Sequence, residues 1–415
     1  MISETKLCIV GGGPAGMIAG LLFARAGVQT TVLEKHGDFL RDFRGDTVHP
    51  STLRLFSELG LLEQLLKRPH NKVHTIGGVI AGREIEFADF SSFDPRWNFT
   101  ALMPQWEFLD FVADEARKYP NFTLLVNAEA TGLMTQGERV TGIHYRSEGE
   151  IHAMTADLVI AADGRGSILR AESGLPLLSF GAPMDVLWFR VPKEPTAEND
   201  TTGIFAPGRI LVLIDRGDYW QCAYVFAKGE VEAVRARGIE AFRREVSTVG
   251  PRLKTQIGVI DDWDKVKLLT VALDRLERWD RPGLLVIGDA AHAMSPIGGV
   301  GINVAIQDAV ATANILAGPM ARGEDVSPLL AKVRKRRLLA VRSIQAFQKF
   351  AQNAIITPLL SSNAATSMTV PLPLRLLGRF PYLRRFPAAF LGFGIRAEHI
   401  HSPAAAHSQA RPETS

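Results

Sequence analysis

The sequence predicts an α/β fold: a Rossmann-like nucleotide-binding domain interrupted by an inserted mixed β-sheet and followed by a C-terminal helical region. Three observations carry this. A strand, a glycine-rich turn and a helix open the chain, alternating apolar residues fill positions 181 to 270, and a basic helical stretch leads into a proline-broken tail. With 415 residues, 46% of them hydrophobic, the chain can bury a full core and divide into units. The first unit takes residues 1–75, 100–180 and 271–325, the inserted sheet takes 76–99 and 181–270, and the helical region takes 326–415.

Each element has a local reason. Lys6 to Val10 reads as a short buried strand, and Pro14 to Ala26 as a helix with proline in its first turn and Gly27 just past its end. Thr30 to Leu33 is a second strand, which completes a βαβ unit. Ser51 to Leu66 reads as helical, with Ser51 as N-cap behind Pro50 and an interruption at Gly60, and strand-like pieces follow from Val73 to Phe87. Trp106, Phe108, Leu109, Val112, Ala113 and Ala116 recur at helical spacing, so Gln105 to Tyr119 is a helix that Pro120 stops. From Phe122 to Ala153 the pattern changes to short strands with turns at Gly132, Gly137 and Gly149. Leu158 to Ala162 and Leu284 to Ile287 are buried strands of the first unit, whereas Ile210 to Ile214 and Gln221 to Phe226 belong to the inserted sheet. Gly301 through Ala317 and Leu329 to Ala351 are helices, after which Pro358, Pro371, Pro373, Pro381 and Pro387 cut the apolar tail into short pieces.

Composition narrows the function classes. No stretch approaches the roughly 18 uninterrupted apolar residues of a membrane span, and the N-terminus shows no signal-peptide pattern, so a cytoplasmic location is expected. The only cysteines, Cys8 and Cys222, exclude a disulfide framework, a cysteine metal site and a CxxC redox pair. Net charge is +3, but residues 331–415 carry +11 against −8 for the rest. Such a basic region is a solvated helix face or a contact for an anionic partner; a weak membrane-surface contact is one such partner, and nucleic acid is not expected.

Gly11-Gly12-Gly13-Pro14-Ala15-Gly16 follows a strand and opens a helix. Gly11 permits the tight turn, Gly13 the approach of a pyrophosphate, and Gly16 close helix packing, while the helix N-terminus offers unbonded N–H groups to phosphate. Glu34, ending the second strand, is placed for an adenosine ribose, and its charge opposes a 2′-phosphate there. From this motif alone FAD and NAD both remain open. Gly392 to Ala397 matches the bare pattern but lacks the strand and the acid.

Two further motifs sharpen the reading. Asp157 to Ser167, containing Asp163-Gly164-Arg165-Gly166 and followed by Arg170, and Gly288-Asp289-Ala290-Ala291-His292, followed by Pro296, Gly298, Gly299, Gly301, Asn303 and Asp308, resemble the flavin-binding motifs of the single-component FAD-dependent aromatic hydroxylases. That is the family of p-hydroxybenzoate hydroxylase and the ubiquinone-biosynthesis hydroxylases. The resemblance covers most of the chain and implies a Rossmann-like FAD-binding domain with an inserted mixed β-sheet substrate domain. It implies FAD contacts at Gly11, Gly13, Ala15, Gly16, Glu34, Lys35, Arg44, Gln105, Asp163, Asp289, Pro296, Gly299, Gly301, Ile302 and Asn303. Arg44 would meet the pyrophosphate, Gln105 and Asp289 the ribityl chain, and the N–H groups of Ile302 and Asn303 the pyrimidine edge of the reduced flavin. His292 reads as structural, and His49 as either a loop residue or a pocket residue.

The resemblance further implies NADH or NADPH as a transient electron donor, O2 as co-substrate and a flavin C4a-hydroperoxide as hydroxylating agent. The absence of a second GxGxxG in strand–helix context agrees with a donor that has no Rossmann domain of its own. The substrate is expected to be a small aromatic or other electron-rich, fairly apolar ring, in a pocket lined by Leu187, Trp188, Phe189, Trp220 and Phe226, with Arg190 and Arg209 as surface charges. Tyr219 and Tyr224 lie in the same sheet, and no catalytic base is assigned. A reductase of isoprenoid or polyene double bonds and a non-catalytic flavin scaffold are the alternatives, and the tryptophans lack the WxWxIP spacing of flavin halogenases. The chain is expected to be a monomer or homodimer.

Overall fold

The computed structural model describes residues 2–40, 47–194, 201–361, 370 and 372–405. Strand Ile2–Val10 lies between Thr30–Leu33 and Glu150–Ala161, parallel to both, and Leu284–Val286 adds in parallel on the far side of Glu150–Ala161. Phe122–Leu125 extends one edge in parallel, and Asp280–Arg281 closes the other antiparallel. Leu7, Cys8 and Ile9 are fully buried, so the central strand is covered on both faces, as its unbroken apolar run predicts. Helix Pro14–Arg25 packs against helices Gln105–Arg117 and Gly301–Ala321. The last of these is the only helix among the described residues long and apolar enough to cross a bilayer, and 78% of its apolar window is buried inside the protein.

The second sheet has seven strands in the order Lys267–Leu269, Met184–Pro192, Tyr219–Ala227, Arg209–Asp215, Thr202–Ala206, Thr75–Ile80, Arg83–Asp89. Its pairings are antiparallel except that between Thr202–Ala206 and Thr75–Ile80. Because side chains alternate along a strand, each strand contributes to two different layers. Leu187, Phe189, Trp220, Tyr224 and Phe226 face the helix Ile239–Val249 and bury Phe242 and Val246. Met184, Val186, Ile210, Ala223 and Val225 face the other way, with Trp188, Phe205, Val212 and Ile297 packed around them.

Three local readings change, the first being that Gly132 is not a turn but pairs with His144 inside strand Glu129–Gln136. Ser51 is not a cap: the helix is Pro50–Glu58, His49 is its N-cap and Ser51 is buried in the first turn, because proline takes the first helical position. The basic helix Leu330–Ala351 continues through a π turn, Gln352–Ile356, into Thr357–Leu360.

The basic run is not one solvated face. Arg337 is 1% exposed, and its Nε donates to Asp308 Oδ1 at 2.9 Å while Nη1 reaches Glu398 at 3.4 Å. Arg336 donates to the same Glu398 oxygen, and the other Asp308 oxygen meets His292 Nε2 and the Gly288 N–H. Helix Gly301–Ala321, the basic helix and the tail are thereby joined through buried charges. Burial pushes the Asp308 carboxyl up, but the charges and hydrogen bonds of His292 and Arg337 outweigh it and hold the group below its ordinary range. Asp308→Asn leaves Arg337 buried without its nearest anion and should cost on the order of 3 kcal/mol or more in urea unfolding at pH 7. A loss below about 1 kcal/mol would show that the network is not a structural clamp.

Candidate functional site

Val10, Ala161 and Val286 are neighbours in register, so the chain leaves three parallel strands together at Gly11, Ala162 and Ile287. The three motif loops then touch one another. A Cβ on Gly11 would fall 2.5 Å from the Ala162 carbonyl oxygen, one on Gly288 would fall 3.0 Å from the Ala15 methyl, and Arg165 Nε donates to Asp289 Oδ2 at 3.1 Å. Loops at the carboxyl ends of adjacent parallel strands form the crevice in which open α/β sheets bind ligands.

The first loop is built for a close-lying ligand. Gly16 packs so tightly on its own turn that a Cβ would be 1.9 Å from the Gly11 carbonyl oxygen, whereas a Cβ on Gly13 would meet no atom within 4 Å. The N–H groups of Ala15 and Gly16, in the first turn of the helix, have no acceptor among the described residues. Glu34 is fixed at the mouth: its Oε2 accepts from the Gly12 N–H at 3.0 Å and its Oε1 from the His36 N–H at 3.1 Å. Lys35 is exposed just beyond the strand.

The second loop places Asp163 with one buried oxygen, Oδ1, that has no hydrogen-bond partner. Burial pushes its carboxyl up, against hydrogen bonds from Ser167 and nearby backbone. Arg170 and Arg165 bridge to the third loop through the carbonyls of Ala290 and Met294. Gln105 opens the helix that packs on the glycine-motif helix, and its Oε1 is another buried acceptor without a partner. Arg44 lies outside the described residues.

The third loop runs from Pro296 through Gly298 (φ 80°) and Gly299 (φ 61°) into the helix at Gly301. A Cβ on Gly299 would fall 2.5 Å from Thr47 Oγ1, which itself donates to the Gly299 carbonyl at 2.7 Å. The Asn303 side chain is spent on the same segment, accepting from the His49 N–H and Thr52 Oγ1 and donating to the Thr47 carbonyl. Its backbone N–H, with those of Gly301 and Ile302, has no acceptor among the described residues, so the first turn presents three donors outward. His49, which the sequence left undecided, is fully buried beside the backbone of Gly298, Gly299 and Leu391, though neither ring nitrogen meets hydrogen-bond geometry. Burial lowers its pKa to about 4.

This donor and acceptor set fits FAD. A helix N-terminus with an open glycine face suits a pyrophosphate, a fixed carboxylate suits a ribose, unpartnered acceptors suit ribityl hydroxyls, and a second helix N-terminus suits the electron-rich end of the ring. The expected pocket lining needs correction, because strand alternation sends Leu187, Phe189, Trp220 and Phe226 to the outer layer and leaves only Trp188 on the face that shares Ile297 with the third loop. Tyr224 is in that outer layer too, where its hydroxyl accepts from Arg209 Nε and burial pushes its pKa up, so it lies away from the face that meets the third loop. Arg209 is paired with Glu245 and Glu230, and the Arg190 guanidinium lies 5.9 Å from the Trp106 ring centre and 5.0 Å from that of Tyr219, so neither is a bare surface charge. Sequence reasoning missed Gln221, whose Nε2 is buried without a partner on the inward face; its place in the alternation was the available signal.

The sequence profile of the FAD binding domain family matches residues 4–348. The chain is 31% identical over 339 residues to 6-methylpretetramide 4-monooxygenase of Streptomyces rimosus, across 81% of this chain and 80% of that protein. Among solved structures, the anhydrotetracycline hydroxylase OxyS of the same organism superposes with a TM-score of 0.74 at 21% identity, covering 94% of this chain and 76% of the other. PqsL of Pseudomonas aeruginosa, a probable FAD-dependent monooxygenase, superposes with a TM-score of 0.72 at 20% identity, covering 85% and 97%. Both share the fold.

His49 gives a pH signature. Its folded pKa lies below the unfolded value of 6.5, so the unfolded chain binds more protons between those two values, and the stability from burying the neutral ring is lost as pH falls from about 6.5 to about 4. The loss should be on the order of 3 kcal/mol in denaturant titrations, and His49→Leu should flatten it. An unchanged pH profile in the variant would place the titration elsewhere.

Proposed function

The chain belongs to the FAD binding domain family of FAD-dependent aromatic hydroxylases, and on that premise we propose that it uses NAD(P)H and O2 to hydroxylate an aromatic or other electron-rich, fairly apolar ring held between the third loop and the second sheet. The observation that carries this reading is the shared apolar cluster in which Ile297 of that loop packs with the inward residues of the sheet. The similarity to a protein named 6-methylpretetramide 4-monooxygenase supports a monooxygenase reading of that face.

The geometry supports the following division of labour within this reading. The Gly11–Gly16 turn takes the pyrophosphate, Glu34 the adenosine ribose, Asp289 and Gln105 the ribityl chain, and the N–H groups of Gly301, Ile302 and Asn303 the pyrimidine edge. When bound, FAD supplies hydride acceptance from NAD(P)H and activation of O2 for hydroxyl transfer. Residues 76–99 and 181–270 supply the substrate sheet, whose inward positions on Met184–Pro192, Arg209–Asp215 and Tyr219–Ala227 carry Arg190 and Gln221 but no acid. Trp188 Nε1 and Gln221 Nε2, both buried donors without partners, are suited to substrate oxygens, since an unmet buried donor is costly. The apolar residues around them exclude water and fix ring orientation. A cytoplasmic setting, where NAD(P)H is available, goes with this reading.

The test follows NADH and NADPH oxidation with oxygen uptake across phenols, quinolones and polycyclic aromatic ketones. The expected result is matched consumption of reductant and oxygen with a product one oxygen atom heavier. Anaerobic turnover to a hydrogenated product would instead identify a double-bond reductase. Asp289→Ala should weaken FAD binding by about 1–3 kcal/mol in equilibrium titration, and an unchanged affinity would remove Asp289 from the ribityl contact.

A further inference from the structure

Among the described residues sixteen large apolar side chains are exposed, and five of them, Leu372, Leu376, Phe380, Tyr382 and Phe386, fall within one fifteen-residue stretch. Their exposures run from 41% to 66%. The same stretch holds Arg375, Arg379, Arg384 and Arg385 and no acid; none occurs between Asp325 and Glu398. Its helix, Leu372–Arg379, rests against strand Arg83–Asp89 at the edge of the second sheet, with Leu374 and Leu377 half-buried. Leu372, Arg375, Leu376 and Arg379 remain exposed, spaced so that leucine and arginine share one face.

The charges on this face are unspent. Arg384 is used within the fold, paired with Glu86 and donating to the Leu377 carbonyl at 3.1 Å. Arg375 and Arg379 have no partner among the described residues, and the Arg385 guanidinium lies 4.9 Å over the Phe386 ring. Large apolar side chains left exposed together in one short stretch point to an interaction site. With four arginines and no acid the stretch calls for an anionic occupant, which counts against a second copy of this chain, since that would bring the same positive surface against itself across a twofold axis. Leucine and aromatic side chains at the acyl boundary, with guanidinium groups at anionic headgroups, satisfy both kinds of side chain at once.

We propose that the segment Leu372–Phe386 docks the protein on an anionic lipid bilayer surface. The proposal is independent of which aromatic substrate is hydroxylated.

The test is co-sedimentation of the FAD-loaded protein with phosphatidylglycerol–phosphatidylcholine vesicles and with phosphatidylcholine vesicles, at about 50 mM and about 500 mM salt. Partitioning should be at least about tenfold stronger on the anionic vesicles and should weaken at the higher salt. The double variant Arg375→Glu/Arg379→Glu and the double variant Leu376→Ser/Phe386→Ser should each abolish it while retaining the visible spectrum of bound FAD, which reports an intact fold. Equal sedimentation with and without anionic vesicles, or binding that survives both double variants, would overturn the proposal. Vesicle-independent dimerisation in sedimentation velocity, relieved by the leucine and phenylalanine changes, would assign the face to a second copy instead.

Discussion

Val10, Ala161 and Val286 stand side by side in one parallel ladder, and the remaining site geometry depends on that register. Neighbouring strands are about 4.8 Å apart, so loops leaving them at the same level have room for little more than backbone where they meet. The small residues at the junctions, Gly11 against Ala162 and Gly288 against Ala15 and Ala305, are what that spacing requires. The glycine motifs are therefore partly a record of strand spacing and only partly one of ligand contact. Gly13 and Gly166 are exceptions, with open faces that no protein neighbour explains, and Gly164 is open too but held at φ 82°.

A second constraint fixes the third loop from behind. Asp308 receives the Gly288 N–H, His292 and Arg337, and Glu398 in the tail anchors Arg336 and Arg337. Asn303, five residues earlier on the same helix as Asp308, ties the helix start to Thr47, His49 and Thr52. The helix is thus held at both ends of its first two turns, while the N–H groups of Gly301, Ile302 and Asn303 have no acceptor among the described residues. Buried ion pairs of this kind are costly to desolvate, so their value lies in fixing one arrangement and less in net stability.

The sequence was most informative where a motif combined local backbone demands with a fixed place in the chain. The βαβ opening, the Gln105 helix and the order of the three loops were legible because periodicity, glycine position and strand-end acids agree. The pocket lining was misread because an apolar strand does not say which of its faces meets the cofactor; Leu187 and Trp188 are neighbours in sequence and belong to opposite layers. The roles of Arg337 and Glu398 were hidden for a different reason, since their pairing joins residues far apart in the chain and leaves no periodic trace. His49 needed the fold as well: only the packing of Gly298, Gly299 and Leu391 around it shows a buried neutral ring.

The convergence of three loops on one cofactor is tested most directly by a crystal structure of the FAD complex. The expected density has the pyrophosphate on the N–H groups of the Gly11–Gly16 turn, a ribose hydroxyl at Glu34, the ribityl chain passing Asp289, and the isoalloxazine ring against Gly298 and Gly299 with its pyrimidine edge toward Gly301–Asn303. A flavin that leaves Asp289 and the Gly301–Asn303 turn uncontacted would contradict it.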